Sequence, residues 1–166
     1  MKVRSRVLFF IIAGAVLAGS HVAEAQSDKV PRIGVLVYTA EPTPGQSSPL
    51  LEAFRGGLRD LGYVEGRNVI LEYRWAGGSN QRAAELAADL VRHDVAVIMS
   101  TGTPATQMAR AATATIPIVM TAVGDPVGSG IVASLARPGG NVTGLSLLDT
   151  DLDGKRIDLL KEAVPG

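Results

Sequence analysis

Residues 33–38 read Ile-Gly-Val-Leu-Val-Tyr, an apolar run rich in branched side chains. A run of this length, without polar alternation, predicts a β-strand whose two faces are both buried. A second run of the same kind, Val-Ala-Val-Ile-Met, occupies residues 95–99. Strands buried on both faces are typical of parallel sheets that are covered by helices. These two runs therefore predict an α/β fold.

Strand and helix patterns alternate outward from these two runs. Val69–Trp75 alternates apolar and polar residues, which predicts an edge strand. Helical spacing of apolar residues follows Ser48-Pro49, with Ser48 as the N-cap and Gly62 after the last turn. The remaining predicted strands span residues 116–123 and 142–148. Two further helices are predicted to begin after Ser79 and at Thr103, and two more to span residues 127–135 and 151–163.

Five strands, each followed by a helix, predict an open parallel sheet with helices on both faces. Right-handed crossovers and the edge strand at 69–75 give the strand order 2-1-3-4-5. Ligands of such sheets bind at the carboxyl ends of the strands near the switch point, which here lies between strands one and three. The candidate ligand loops are therefore 38–48, 100–104 and 124–128.

The loop after the third strand carries small hydroxyl residues and a glycine, namely Thr101, Gly102 and Thr103. The free N–H groups of the following helix would face this loop, and they suit an anion such as a carboxylate. The alternative is that Thr103 only caps the helix and that Gly102 only makes a turn.

Two other strand ends carry candidate binding residues. Asp125 follows the fourth strand, where it would hold a ligand ammonium group by a charge-assisted hydrogen bond or would simply cap the next helix. Tyr38 and Thr39 end the first strand and offer a ring face and a hydroxyl. For Tyr38 the alternative is ordinary packing in the core.

The composition argues against most catalytic chemistry. The chain has no cysteine, and His93 is the only histidine outside residues 1–25, so a zinc site or a serine triad lacks its residues. Residues 128–133 match a dinucleotide-binding pattern, but they follow the fourth strand and lack the acidic partner that the fingerprint requires. The sequence therefore predicts no metal, no cofactor and no enzymatic activity.

Residues 1–25 predict a secretory signal peptide. Three basic residues precede an apolar run over 7–18, and Ala23-Glu24-Ala25 is a small-x-small cleavage signal. The apolar run is shorter than the roughly 20 residues that span a bilayer, so a permanent anchor is disfavoured. Cleavage after Ala25 removes three of 16 basic and one of 16 acidic residues, which leaves a net charge of −2. We expect a soluble periplasmic product that binds neither nucleic acid nor membrane.

Three stretches of the chain carry a family resemblance: 61–75 (LGYVEGRNVILEYRW), 124–127 (GDPV) and 133–144 (ASLARPGGNVTG). They resemble the tryptophan/tyrosine-type substrate-binding proteins of ABC transporters, and the resemblance runs from about Pro31 to the end. It implies a type 1 periplasmic binding fold, in which two similar lobes close on a small molecule and a membrane permease with its ATPase accepts the closed form.

The resemblance also implies that residues 26–166 form the N-terminal lobe and that a second lobe of similar size is missing. Its ligand-facing loops match Tyr38-Thr39, Thr101-Gly102-Thr103 and Asp125, and characterised relatives take up aromatic amino acids. Three other hypotheses remain at this point: a ligand-sensing module for a partner protein, an enzyme on a flavodoxin-like sheet, and an inactive truncated lobe.

Overall fold

The computed structural model describes residues 30–46, 48–147 and 149–164, so the predicted signal peptide lies outside the described residues. Five strands and four helices are present in this part of the chain. The strands are β1 Arg32–Val37, β2 Ile70–Trp75, β3 Val97–Thr101, β4 Ile118–Val123 and β5 Val142–Ser146. The helices are α1 Pro49–Asp60, α2 Asn80–Arg92, α3 Thr103–Ala112 and α4 Asp149–Ala163.

The four pairings between these described strands are parallel, and the sheet order is β2-β1-β3-β4-β5. This confirms the predicted open sheet, with β2 at one edge. Alternation along β1 sends successive side chains to opposite faces, and each face carries its own apolar cluster. Leu36 packs with α2 and α3 on one face, whereas Val35 and Val37 pack with Leu51 of α1 on the other.

Gly34 of β1 sets the distance between the sheet and α2. A Cβ atom at this position would lie 2.9 Å from Cδ1 of Leu90, which is fully buried. Because Gly34 has no side chain, α2 can pack closely against the centre of the sheet.

The segment after β4 differs from its prediction. The sequence predicted a helix over 127–135, but residues 126–130 form only a turn and the chain then runs irregularly to β5. Gly130 adopts a left-handed φ of 69°, which ends any helix at that point. Ile131 and Val132 follow and are buried in the core, so tertiary packing holds the irregular segment in place.

Helix α4 begins and ends close to the predicted 151–163, but it lies apart from the core. Its described side chains, residues 154–163, are all exposed. Ile157 and Leu160 remain 54% and 63% accessible. No helix among the described residues has both the length and the apolar character needed to cross a membrane.

Glu72 of β2 is the centre of a charged cluster at the sheet edge. Its carboxylate lies 2.5 Å from Nη1 of Arg32, 3.1 Å from Nη2 of Arg74 and 2.7 Å from Nδ1 of His93. The Glu72 side chain is only 11% exposed. The hydrogen bond from His93, followed by that from Arg32 and the charge of Arg74, lowers the pKa of Glu72 against the opposing effect of burial.

This cluster predicts an acid-sensitive contribution to stability. Because the pKa of Glu72 is lower in the folded protein, its contribution is complete above the unfolded pKa and is lost as the pH falls through the folded value. We expect Glu72→Gln to lower the free energy of unfolding at neutral pH by about 1 kcal/mol and to flatten its acid dependence.

Urea unfolding of both proteins between pH 3 and pH 7 measures this effect. The exposed Glu162→Gln serves as the control and should reproduce the parent's profile. Parallel curves for Glu72→Gln and the parent would contradict the assignment.

Candidate ligand-binding site

The strand register brings the predicted site residues to one edge of the sheet. Val37 of β1 pairs with Thr101 of β3, and Thr101 pairs with Thr121 of β4. Neighbouring strands lie about 4.8 Å apart, so the segments that follow these strands are adjacent in space. Tyr38-Thr39, Thr101–Thr103 and Gly124-Asp125 therefore share the carboxyl edge that the topology predicted as the binding edge.

A buried hydrogen-bond network holds the loop between β3 and α3. The hydroxyls of Ser100 and Thr106 lie 2.9 Å apart, and the Thr106 hydroxyl donates to the Gly102 carbonyl at 2.8 Å. The Gly102 N–H donates across the sheet to the Thr121 carbonyl at 2.8 Å. Ser100 and Thr106 are fully buried, so contacts within the chain set the geometry of this loop.

Gly102 is the N-cap of α3, and Thr103 is its first residue. The structure therefore contradicts the prediction of Thr103 as the capping residue, because no side chain among the described residues caps this helix. Gly102 has φ 83° and ψ 160°, a region that only glycine adopts readily. This conformation displaces the cap by one residue from the hydroxyl that the sequence favoured.

The absence of a side-chain cap leaves polar groups of the loop available. Among the described residues, the hydroxyls of Thr101 and Thr103 have no hydrogen-bond partner. Among the described residues, no capping side chain accepts a hydrogen bond from the amide N–H groups in the first turn of α3. Amide donors at a helix N-terminus together with two hydroxyls can bind a carboxylate.

One carboxylate oxygen of Asp125 stabilises the turn after β4, and the other accepts no hydrogen bond from the described residues. Its Oδ1 accepts hydrogen bonds from the N–H groups of Val127 at 3.1 Å and Gly128 at 2.7 Å. A Cβ atom on Gly128 would lie 2.0 Å from Oδ2 of Asp125, so a glycine is needed there. The capping alternative from the sequence is therefore present, in a turn rather than in a helix. The half-buried carboxylate retains Oδ2 for a cationic group.

Tyr38 is oriented by contacts within the chain. Its hydroxyl lies 2.8 Å from both the Gly78 carbonyl and Oδ1 of Asn80, and its ring packs against the core cluster on the α2 face. These contacts favour the packing alternative for Tyr38. Thr39 is exposed, and its carbonyl accepts the N–H of Gly77 at 3.1 Å.

An aromatic surface that the sequence analysis missed lies next to this edge. The rings of Tyr73 and Trp75 stack with centroids 6.3 Å apart, and the Arg55 guanidinium lies 5.0 Å from the Tyr73 ring. A cavity of about 300 Å³ separates these rings from the loop over residues 41–46. The spacing of Tyr73 and Trp75, two residues apart on a strand, was the available signal because it places both rings on one face.

Comparison with known proteins agrees with this architecture. The chain matches the family described as ABC transporter substrate binding protein over residues 42–166. A tyrosine-binding protein of Clostridioides difficile (strain R20291) is 34% identical over 149 residues, which is 89% of this chain and 41% of that protein.

Two solved structures are also similar. An ABC domain in complex with L-Trp from Streptococcus pneumoniae has 31% identity and a TM-score of 0.62, over 71% of this chain and 39% of that one. A conserved domain protein of Vibrio cholerae has 36% identity and a TM-score of 0.68, over 83% of this chain and 45% of that one. The chain thus spans less than half the length of these relatives. With the family match over most of its length, the chain belongs to the ABC transporter substrate-binding protein family.

Proposed function

We propose that the protein captures a free amino acid and delivers it to an ABC transporter. The family match over residues 42–166 is the observation that carries this proposal. The relatives support the ligand class, since one is named a tyrosine-binding protein and another was solved with L-Trp. An aromatic L-amino acid is therefore our first ligand candidate.

The geometry of the carboxyl edge supports an amino acid ligand. The first turn of α3 and the hydroxyls of Thr101 and Thr103 would hold the ligand carboxylate. Oδ2 of Asp125, in the turn after the neighbouring strand β4, would hold the ammonium group. The amide donors that follow β3 and the carboxylate that follows β4 match the two charged groups of an amino acid. The protein would act by binding alone, without catalysis.

The length difference from the relatives supports a two-lobe arrangement. Residues 26–166 would be the N-terminal lobe, preceded by a signal peptide that directs it to the periplasm. The ligand edge is open to solvent in this lobe, with Thr39 exposed, and a second lobe would close over it. A permease and its ATPase would accept the closed form.

Calorimetric titration of the purified protein, as its host produces it, with each of the 20 L-amino acids tests the proposal. We expect saturable binding of L-tyrosine or L-tryptophan. Tyramine, which lacks the carboxylate, should bind at least tenfold more weakly, since the charge-assisted bonds to the α3 N-terminus are lost. Within residues 1–166 Trp75 is the single tryptophan, so its fluorescence in a protein of these residues gives an independent signal for L-tyrosine. Failure of every amino acid to bind would overturn the proposal.

A further inference from the structure

Strand β4 is irregular where it reaches the candidate site. Met120 pairs with Gly144 and Val123 pairs with Ser146, so two residues of β4 lie opposite the single residue Leu145 of β5. This arrangement is a β-bulge, which is rare between parallel strands. Bulges of this kind change the direction in which a strand's side chains point.

The bulge turns Ala122 out of the core. In a regular strand Ala122 would share a face with Met120, because side chains alternate. Here Met120 and Val123 belong to the same buried cluster, whereas Ala122 is exposed. Ala122 adopts a left-handed φ of 54°, which the methyl group of an L-residue makes unfavourable.

Ala122 lies between the two polar parts of the candidate site, the hydroxyl loop and Asp125. The preceding residue, Thr121, accepts the Gly102 N–H at 2.8 Å through its carbonyl and donates its hydroxyl to the Ser100 carbonyl at 3.1 Å. Asp125 follows three residues later. The exposed methyl therefore lies along the edge between the hydroxyl loop and the Asp125 carboxylate.

Asp94 is the other non-glycine residue with a left-handed φ among the described residues, at 52°. It follows α2, at the opposite end of the strands from the candidate site. Aspartate tolerates this conformation better than most residues, because its side chain can form local hydrogen bonds. Alanine has no such compensation, and glycine would adopt the same backbone without strain. The Ala122 methyl therefore adds backbone strain while it stays exposed in the described lobe, and strained residues of this kind cluster at ligand sites.

We propose that Ala122 is a ligand-positioning residue, whose methyl group contacts the bound amino acid between its carboxylate and ammonium sites and limits the space there. This inference rests on the proposed function. The apolar contact lies against the part of the ligand that joins its two charged groups. Any larger side chain at this position would project into the same space.

The test compares Ala122→Gly, Ala122→Leu and the control Asp94→Gly in the complete protein, with L-tyrosine as the probe in calorimetry. We expect Ala122→Gly to raise the melting temperature, because strain is removed, yet to weaken L-tyrosine binding about fourfold through loss of one buried carbon. Ala122→Leu should weaken binding at least tenfold by filling the space. Asp94→Gly should leave the Kd unchanged.

The outcomes separate this inference from the proposed function. Parental binding of L-tyrosine with an unchanged Kd in Ala122→Gly would overturn the role of Ala122 alone. Absence of amino acid binding by the parent would overturn both. Ala122→Gly relieves backbone strain, so we expect this variant to fold. Its Kd therefore tests the role of Ala122 even if Ala122→Leu does not fold.

Discussion

Gly144→Ala is expected to destabilise the protein by about 3 kcal/mol or more. Gly144 lies in β5 with φ 137°, and an added Cβ atom would lie 2.1 Å from the carbonyl oxygen and 2.7 Å from the nitrogen of Met120. Met120 is buried and belongs to β4, so its backbone cannot move aside without opening the pairing of β4 with β5. The same clash would distort the bulge that precedes Asp125.

Urea unfolding followed by circular dichroism measures this loss. Gly140→Ala is the matched control, since a Cβ atom at Gly140 meets nothing within 4 Å and its φ lies outside the left-handed region. The control should stay within about 0.5 kcal/mol of the parent. Equal stability of Gly144→Ala and the parent would show that β5 does not pair with β4 in this register.

Asp125→Asn is expected to weaken amino acid binding about 30-fold, because a charge-assisted hydrogen bond to the ligand ammonium group is lost. Asparagine retains an Oδ1 acceptor for the N–H groups of Val127 and Gly128, so the turn after β4 keeps its cap. The substitution therefore removes the charge while preserving the local structure, and the melting temperature should change little.

Calorimetry with L-tyrosine and with its desamino analogue, 3-(4-hydroxyphenyl)propionate, isolates the ammonium contribution. The analogue lacks the ammonium group and should bind the parent and Asp125→Asn equally. Asp60→Asn, an exposed carboxylate at the end of α1, controls for the change in net charge. A Kd for L-tyrosine that Asp125→Asn leaves unchanged would refute the ammonium role of Asp125.

Local signals in the sequence predicted most of the elements. Ser48 and Gly62 delimit α1 as expected, and Tyr63 N–H closes the helix end by donating to the Leu58 carbonyl at 2.8 Å. The apolar runs at 33–38 and 95–99 became the central strands β1 and β3, although β3 begins two residues later than its run. These features depend on neighbouring residues, so a local pattern was enough to predict them.

The segment after β4 could not be predicted in this way. Residues 127–135 have helical spacing, but the left-handed Gly130 and the burial of Ile131 and Val132 override it. The position of the α3 cap depends on Gly102, whose conformation is held by a bond to Thr121 some 20 residues away in sequence. The first difference comes from the conformation of Gly130 and from core packing, and the second comes from a hydrogen bond between distant residues, so helical spacing predicts neither.

The sequence by itself determined the parallel α/β sheet, its strand order and the edge at which the candidate residues gather. The periods of 2 and 3.6 residues in the apolar pattern identify strands and helices from neighbouring residues alone. The strand order follows from the right-handed crossover, a rule that holds for nearly all parallel sheets. Only the tertiary structure decided the β4 bulge, the exposure of Ala122 and the burial of the Ser100–Thr106 pair. The physical reason is that register and side-chain orientation depend on which distant strand each residue pairs with, and that choice is made by packing of the whole sheet.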